Sequence, residues 1–297
     1  MPLRSEDFGH VKKCHSCLCL QWAFFFLSFL GTIGGLLPTD AQALRPFISA
    51  TDAGVLDPGY AEAEVGIALS RNTRGSANES SWNLPSAVIN IGLLENFELD
   101  IGTGIDLFRE KTEGSKRRRL GSVAETSVTA KIRFFEGQGA LPSFTTEMTL
   151  IIPTQRRELL ATPSRKVGFT GVLAATAELG PLAYHLNLGA GVVESPRRSL
   201  GTVGSMLWAI AGEYPPTYEL SAVAELRGES VRGSPPDNTV LGGLAWKSPW
   251  GIKFDAAGFG GLSRGSDNWG ITFGLTYVFK AIPWLGKPSP GRAIVLS

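Results

Sequence analysis

The sequence is poor in the residues from which most catalytic and metal sites are built. Its 297 residues hold only three cysteines and three histidines. Cys14, Cys17 and Cys19 all lie near the start. If that segment is removed on export, the remaining chain has no cysteine, which excludes disulfides, thiol chemistry and thiolate metal sites. The same removal leaves His185 as the sole histidine, so a structural zinc site lacks its ligands. Neither charge dominates: 28 Lys+Arg face 27 Asp+Glu for a net charge of +1, which argues against a nucleic-acid partner held by a basic footprint. Asp52, Asp57 and the other acids lack the spacing of a calcium loop. Hardly any helical period follows Leu44, so no glycine-rich phosphate loop opens a helix. No metal and no cofactor is implied.

What the chain does have is 36 glycines, 43% hydrophobic residues and a period of two. The last stretch shows it best, with Trp269, Ile271, Phe273, Leu275, Tyr277 and Phe279 on one face and Gly270, Thr272, Gly274, Thr276 and Val278 on the other. Alternation of this kind is the signature of strand.

The N-terminus has the form of an export signal. Basic Lys12 and Lys13 precede an apolar run from Leu18 to Leu37, and Ala41-Gln42-Ala43 has the small-x-small pattern of a cleavage site. The run is long enough to span a bilayer, which makes an uncleaved anchor the rival reading; the Ala-x-Ala site favours cleavage after Ala43. The expected organisation is a signal peptide at 1–43, a periplasmic entry segment at 44–59, a barrel at 60–279 and a periplasmic C-terminal tail at 280–297.

The pattern predicts an all-β fold: a single transmembrane antiparallel up-and-down barrel of about twelve strands. Its segments have the roughly ten-residue length that a tilted membrane strand requires. Parity supports it. The even-to-odd connections, at Glu95, Glu136, Gly180, Pro215 and Ser248, are short, and most odd-to-even ones are longer and more polar, as in outer-membrane barrels with short periplasmic turns and long external loops. Among the longer breaks are Asn72 to Ser80, the basic stretch Arg109 to Ser122, and Thr154 to Lys166. Aromatics such as Trp82, Tyr184, Tyr218, Trp246, Trp250, Trp269, Tyr277 and Phe279 tend towards strand ends, as an interfacial girdle would. The eighth strand, Val203 to Glu213, leaves its facing open, because Met206, Trp208 and Ile210 are apolar in one register and Leu207 and Ala209 in the other.

Charges cannot face lipid cheaply, so the period assigns them to the lumen. Glu62 and Glu64 lie inward on the first strand, Glu98, Asp100 and Asp106 on the third, and Glu125, Lys131 and Arg133 on the fourth. Glu147 follows on the fifth, Glu178 on the sixth, His185 on the seventh and Glu219, Glu225 and Arg227 on the ninth, with Lys247, Lys253 and Asp255 on the tenth and eleventh. Two readings stand side by side: a satisfied network of acids and bases filling a narrow barrel, or a permeation path with acids near the first three strands and bases on the fourth, ninth, tenth and eleventh, setting a transverse field.

The region from Leu44 to Phe279 resembles the family of outer-membrane barrels described as phenol-degradation meta-pathway proteins, often taken to be transporters. The residues that carry the resemblance are Arg45-Pro46-Phe47 with Thr51-Asp52-Ala53-Gly54, Pro58-Gly59-Tyr60 with Glu62 and Glu64, and Asn83-Leu84-Pro85. They continue through Leu99 to Gly104, Ala130 to Phe134, Leu179 to Leu182 and the closing Trp269 to Phe279. One departure is the continuation from Lys280 to Ser297, since such barrels usually end at the final aromatic. The resemblance implies location and fold more firmly than substrate.

The leading expectation is a barrel in the outer membrane of a Gram-negative bacterium, acting as a passive channel or uptake component for small molecules, aromatic or hydrophobic ones among them. Its partners would be membrane lipid, lipopolysaccharide and the barrel-insertion machinery, and no nucleic acid. A structural or surface-interaction barrel with a plugged lumen is the alternative. A third reading is an outer-membrane lipid hydrolase, using His185 with Ser221 or Ser127; it needs base, nucleophile and orienting group within hydrogen-bond reach.

Overall fold

Alternating apolar and polar residues make a ribbon that can present one face to lipid and the other to a polar interior. The computed structural model uses this throughout. It describes residues 50–74, 77–112, 118–154, 166–195 and 200–285. The expected signal peptide, the start of the expected entry segment and the residues beyond Leu285 lie outside the described residues, as does the unit Met1–Gly34.

Among the described residues thirteen strands form one antiparallel sheet: β1 (Tyr60–Arg74), β2 (Ala77–Leu94), β3 (Phe97–Thr112), β4 (Arg118–Val123), β5 (Thr126–Phe135), β6 (Ser143–Ile152), β7 (Gly168–Leu179), β8 (Leu182–Glu194), β9 (Thr202–Tyr214), β10 (Leu220–Val231), β11 (Asp237–Lys247), β12 (Ile252–Gly261) and β13 (Trp269–Lys280). Consecutive strands pair with one another except β4 with β5, and β1 pairs with β13 from Tyr60↔Lys280 to Arg71↔Trp269, which closes the sheet on itself. β4 and β5 are successive pieces of one stave, both on the same edge of β3, and the amide of Ala124 donates to the Gly104 carbonyl at 2.8 Å across their junction. The wall therefore has twelve staves, the number the alternation predicts.

The exterior is apolar. Ile101 and Ile271 are exposed, as are Val65, Leu186, Leu188, Phe273 and Leu275, while Asn90, Glu98, Lys131, Thr145 and Asn187 on the opposite parity are buried. β9 settles the facing that its sequence leaves open: Met206 is 69% and Ile210 51% exposed, whereas Ala209 and Ala211 are buried. Leu207 can turn inward because its partner on β8 is Gly189, where a Cβ would meet the leucine side chain at 2.8 Å. Exposed aromatics stack near the short-turn rim, Trp246 on Phe254 at 5.8 Å and Tyr277 on Phe279 at 6.0 Å.

Two of the breaks expected from the sequence are strand. Asn72 to Ser80 reads as a polar loop, yet β1 and β2 run on in register to Arg74↔Ala77. The break Arg109 to Ser122 likewise belongs largely to β3 and β4, paired out to Glu110↔Arg118. β1 has no β13 partner beyond Arg71, so β1 to β4 project past the wall as a ribbon held by its own ladder. Polar composition hides this because a ribbon outside the membrane has no lipid-facing side to keep apolar. Pro85, which has no N–H to give to the ladder, lies within β2 where the register shifts between Asn83 and Ser86.

Candidate functional site

The residues just before the first stave set the character of the lumen. Thr51 to Asp57, within the expected entry segment 44–59, run along the inward faces of β3, β5, β6, β7 and β8. Thr51 donates its amide to Asn187 Oδ1 at 2.7 Å, and its carbonyl accepts from Asn187 Nδ2 at 2.9 Å. Its hydroxyl donates to Glu147 Oε1 at 2.7 Å. The Ala53 amide donates to Thr176 Oγ1 at 2.8 Å, and its carbonyl accepts from Thr145 Oγ1 at 2.5 Å. The Leu56 amide donates to Glu98 Oε2 at 2.6 Å. Ala53 is 1% exposed. The partners of Thr51, Ala53 and Leu56 are side chains, so this stretch is bound to the wall without joining its ladder.

Lys131 is the electrostatic centre of the contact. It is 0% exposed, and its Nζ lies 3.1 Å from Asp52 Oδ1 and 3.6 Å from Glu147 Oε1. It also donates to Thr51 Oγ1 at 3.3 Å. A buried ammonium is tolerable only with close counter-charges, and here the segment itself brings one of them. The cross-strand neighbour Glu98 uses a carboxylate oxygen for the Leu56 amide. All of these groups lie near the short-turn end of the staves.

The point where the segment meets β1 is tightly built. Gly92 has no side chain where the carbonyls of Leu56 and Asp57 pass closest, and any Cβ there would strike both. Gly59, at φ +86°, accepts from the amides of Ala281 and Ile282, each at 2.9 Å. The beginning of the expected periplasmic tail is therefore folded onto the base of the segment.

The other sequence-predicted lumen residues fall into separate groups. Asn90 Nδ2 donates to Glu62 and Glu64, at 3.2 and 2.5 Å. Asp100 is buried on β3, and Asp106 accepts from Asn83 Nδ2 at 2.7 Å. Glu125 lies half-buried between β4 and β5. Arg133 pairs with Glu136 at 3.3 Å and donates to the Glu95 carbonyl at 2.9 Å. Glu225 is buried on β10, and Arg227 pairs with Asp237 at 3.3 Å. Lys253 sits opposite Lys247 in register, and Asp255 packs against Gly274. Three sit at the short-turn edge of the wall. Glu219 is exposed in the connection before β10, accepting from Thr217 at 3.2 Å. Lys247, at the end of β11, sets its Nζ 5.3 Å from the Tyr218 ring centre. Glu178 is exposed at the end of β7.

The acids and bases are not segregated as a transverse field requires. Lys131 has Asp52 and Glu147 beside it, Arg227 has Asp237, and the buried Glu225 shares its strand with Arg227. Nor does the structure assemble the hydrolase constellation. His185 Nδ1 and Thr176 Oγ1 are 3.0 Å apart. Through β9 its row reaches Glu225 on β10, four positions and about 13 Å along the strand from Ser221. Ser127 is three staves away. Among the described residues no group of three His, Cys, Asp or Glu side chains is placed to hold a metal.

Sequence reasoning missed Thr51, Asp52, Asn90, Thr145, Thr176 and Asn187. The period does put the last four on the inward face, but a search for charges passes over them. Thr51 and Asp52 lie outside any strand and carry no such mark.

No family model matches the sequence, and no curated protein matches it. Solved structures do. An outer membrane channel from Pseudomonas putida F1 superposes with a TM-score of 0.60 at 12% identity, over 78% of this chain and 100% of that one. The β domain of the Bordetella autotransporter BrkA gives 0.49 at 11%, over 75% and 100%. The NanC porin gives 0.45 at 7%, over 73% and 98%. At such identities the first of these speaks for the fold, a closed antiparallel barrel of the outer-membrane kind.

Proposed function

We propose that this chain is a barrel of the Gram-negative outer membrane that passes small molecules without chemical turnover, and that the stretch from Thr51 to Asp57 is its internal constriction. The observation that carries the reading is the mode of attachment: an apolar exterior and a polar interior make a channel wall, and the piece inside is held by side chains and so can leave without breaking the wall. The sequence resemblance to the phenol-degradation meta-pathway barrels and the fold shared with the P. putida channel support the same reading, with aromatic and hydrophobic solutes in the expected range. Lipid contacts the apolar belt, lipopolysaccharide the projecting ribbon, and the barrel-insertion machinery delivers the chain.

Planar-bilayer recording tests this with two refolded chains, one beginning at Leu44 and one at Pro58. The shorter chain should conduct several times more than the longer. Equal, negligible currents from both would replace the channel by the second reading, a plugged barrel that displays its ribbon and loops; the buried Lys131 cluster is the observation that favours that reading.

A further inference from the structure

The wall holds the stretch from Thr51 to Leu56 largely by its main chain. Asn187 Oδ1 accepts from the Thr51 amide at 2.7 Å while Asn187 Nδ2 donates to the Thr51 carbonyl at 2.9 Å, so one side-chain amide grips both backbone groups of one residue. Two residues on, Thr176 Oγ1 accepts from the Ala53 amide at 2.8 Å and Thr145 Oγ1 donates to the Ala53 carbonyl at 2.5 Å. Glu98 Oε2 accepts from the Leu56 amide at 2.6 Å. A spacing of two is that of an extended chain, and these side chains supply what an added strand would find at a sheet edge.

The register prepares the wall for this. Asn187 on β8, Ala174 on β7 and Thr145 on β6 stand in one row. Ala174 is fully buried and puts only a methyl group between the two polar residues, so a backbone can lie against the wall where they hold it.

Main-chain groups are the same in every peptide, so these five contacts would serve another sequence equally well. Two features select. Lys131, itself buried, has its Nζ 3.1 Å from Asp52 Oδ1, and an acid at that place supplies a counter-charge that a buried ammonium requires. Ala53 is buried against the wall, which leaves room for a small side chain only. When the segment leaves, Asn187, Thr145 and Thr176 each lose a partner and Lys131 loses a counter-charge, and the array lies open to any chain that replaces them.

We infer that the inward faces of β3 and β5 to β8 form a binding site for a short extended peptide in which an acidic residue is followed by a small one. The stretch from Thr51 to Leu56 is its resident, intramolecular ligand. This rests on the channel reading only in the premise that the segment can leave; what binds in its place does not depend on what passes.

The test uses the full chain from Leu44, refolded in detergent, with Asp52→Lys, which sets a like charge against Lys131 and should release the segment; Ala53→Cys added to the same chain reports the release through maleimide labelling. Calorimetric titration with Ac-Thr-Asp-Ala-NH2 should show binding. The asparagine analogue should bind about tenfold more weakly, and the lysine analogue should not bind. Methylation of the alanine nitrogen removes the donor to Thr176 and should weaken binding about tenfold. Leucine in place of the alanine should abolish it. Equal binding of the aspartate and lysine peptides, or of the methylated and parent peptides, overturns the site. So does a released segment with no peptide bound, or a segment still protected in Asp52→Lys, since an acid is then not what the wall selects. If Asp52→Lys fails to refold, the parent sequence with Ala53→Cys decides: about 10 mM of the aspartate peptide should speed labelling several-fold by trapping the vacated wall, and unchanged labelling overturns the site. Planar-bilayer currents from the same chain keep the two readings apart: peptide binding without conduction ends the channel reading and leaves the site, and conduction without peptide binding does the reverse.

Discussion

Replacing Lys131 by methionine should free the internal segment while leaving the barrel closed. The ammonium lies 3.1 Å from Asp52 and 3.6 Å from Glu147, which corresponds to about 5 kcal/mol of attraction for each pair at an effective dielectric near 20. Desolvation of three charges offsets much of that, so the loss on removing one partner of a buried cluster is better taken as about 3–5 kcal/mol. Such a loss exceeds what three of the segment's neutral hydrogen bonds contribute at about 1 kcal/mol each. The wall, by contrast, keeps every ladder bond, because the side chain of Lys131 takes no part in the β3–β5 pairing. The segment therefore yields first. With no cysteine after position 19, a single Ala53→Cys change reports on it through maleimide labelling of the refolded chain. A loss of about 3–5 kcal/mol should speed labelling by roughly two to four powers of ten. Unchanged labelling in a barrel that still shows heat-modifiable migration would refute the reasoning, as would unfolding of the barrel with the segment.

Two further outcomes follow from the facing and from the crossing point. Ile101→Arg should cost about 2–4 kcal/mol in refolding titrations into lipid vesicles if it sits near mid-membrane, whereas Thr272→Arg, on the lumenal side, should cost much less; equal tolerance would mean the facing is wrong. Gly92→Val should push the Leu56 and Asp57 carbonyls off the wall and raise Ala53→Cys labelling, and a labelling rate equal to the parent's would show that the segment does not depend on this close approach.

The staves were legible because lipid imposes a rule on every second residue, and β13 obeys it from Trp269 to Phe279. Where lipid is absent the rule lapses. The β1–β4 ribbon could not be told from loops by composition. The inward charges were found, but their partners were not. Asp52 reaches Lys131 across 79 positions and Thr51 reaches Asn187 across 136, and nothing local announces either contact. The period assigns a residue to a face; it does not say what else will occupy the space that face encloses.

The two hydrogen bonds from the tail to Gly59 have a mechanical consequence. They pin the root of the internal segment, and Pro58 beside it has little torsional freedom, so the segment cannot swing out as one piece about its base. Release has to proceed as peeling, from Thr51 and Asp52 inwards. The contacts met first are those to Asn187, Glu147 and Lys131, and the ones to Thr145, Thr176 and Glu98 come into play only after these have parted. A pull transmitted along the chain from its N-terminal side would thus load the charged cluster before anything else, which makes that cluster the threshold for the whole motion.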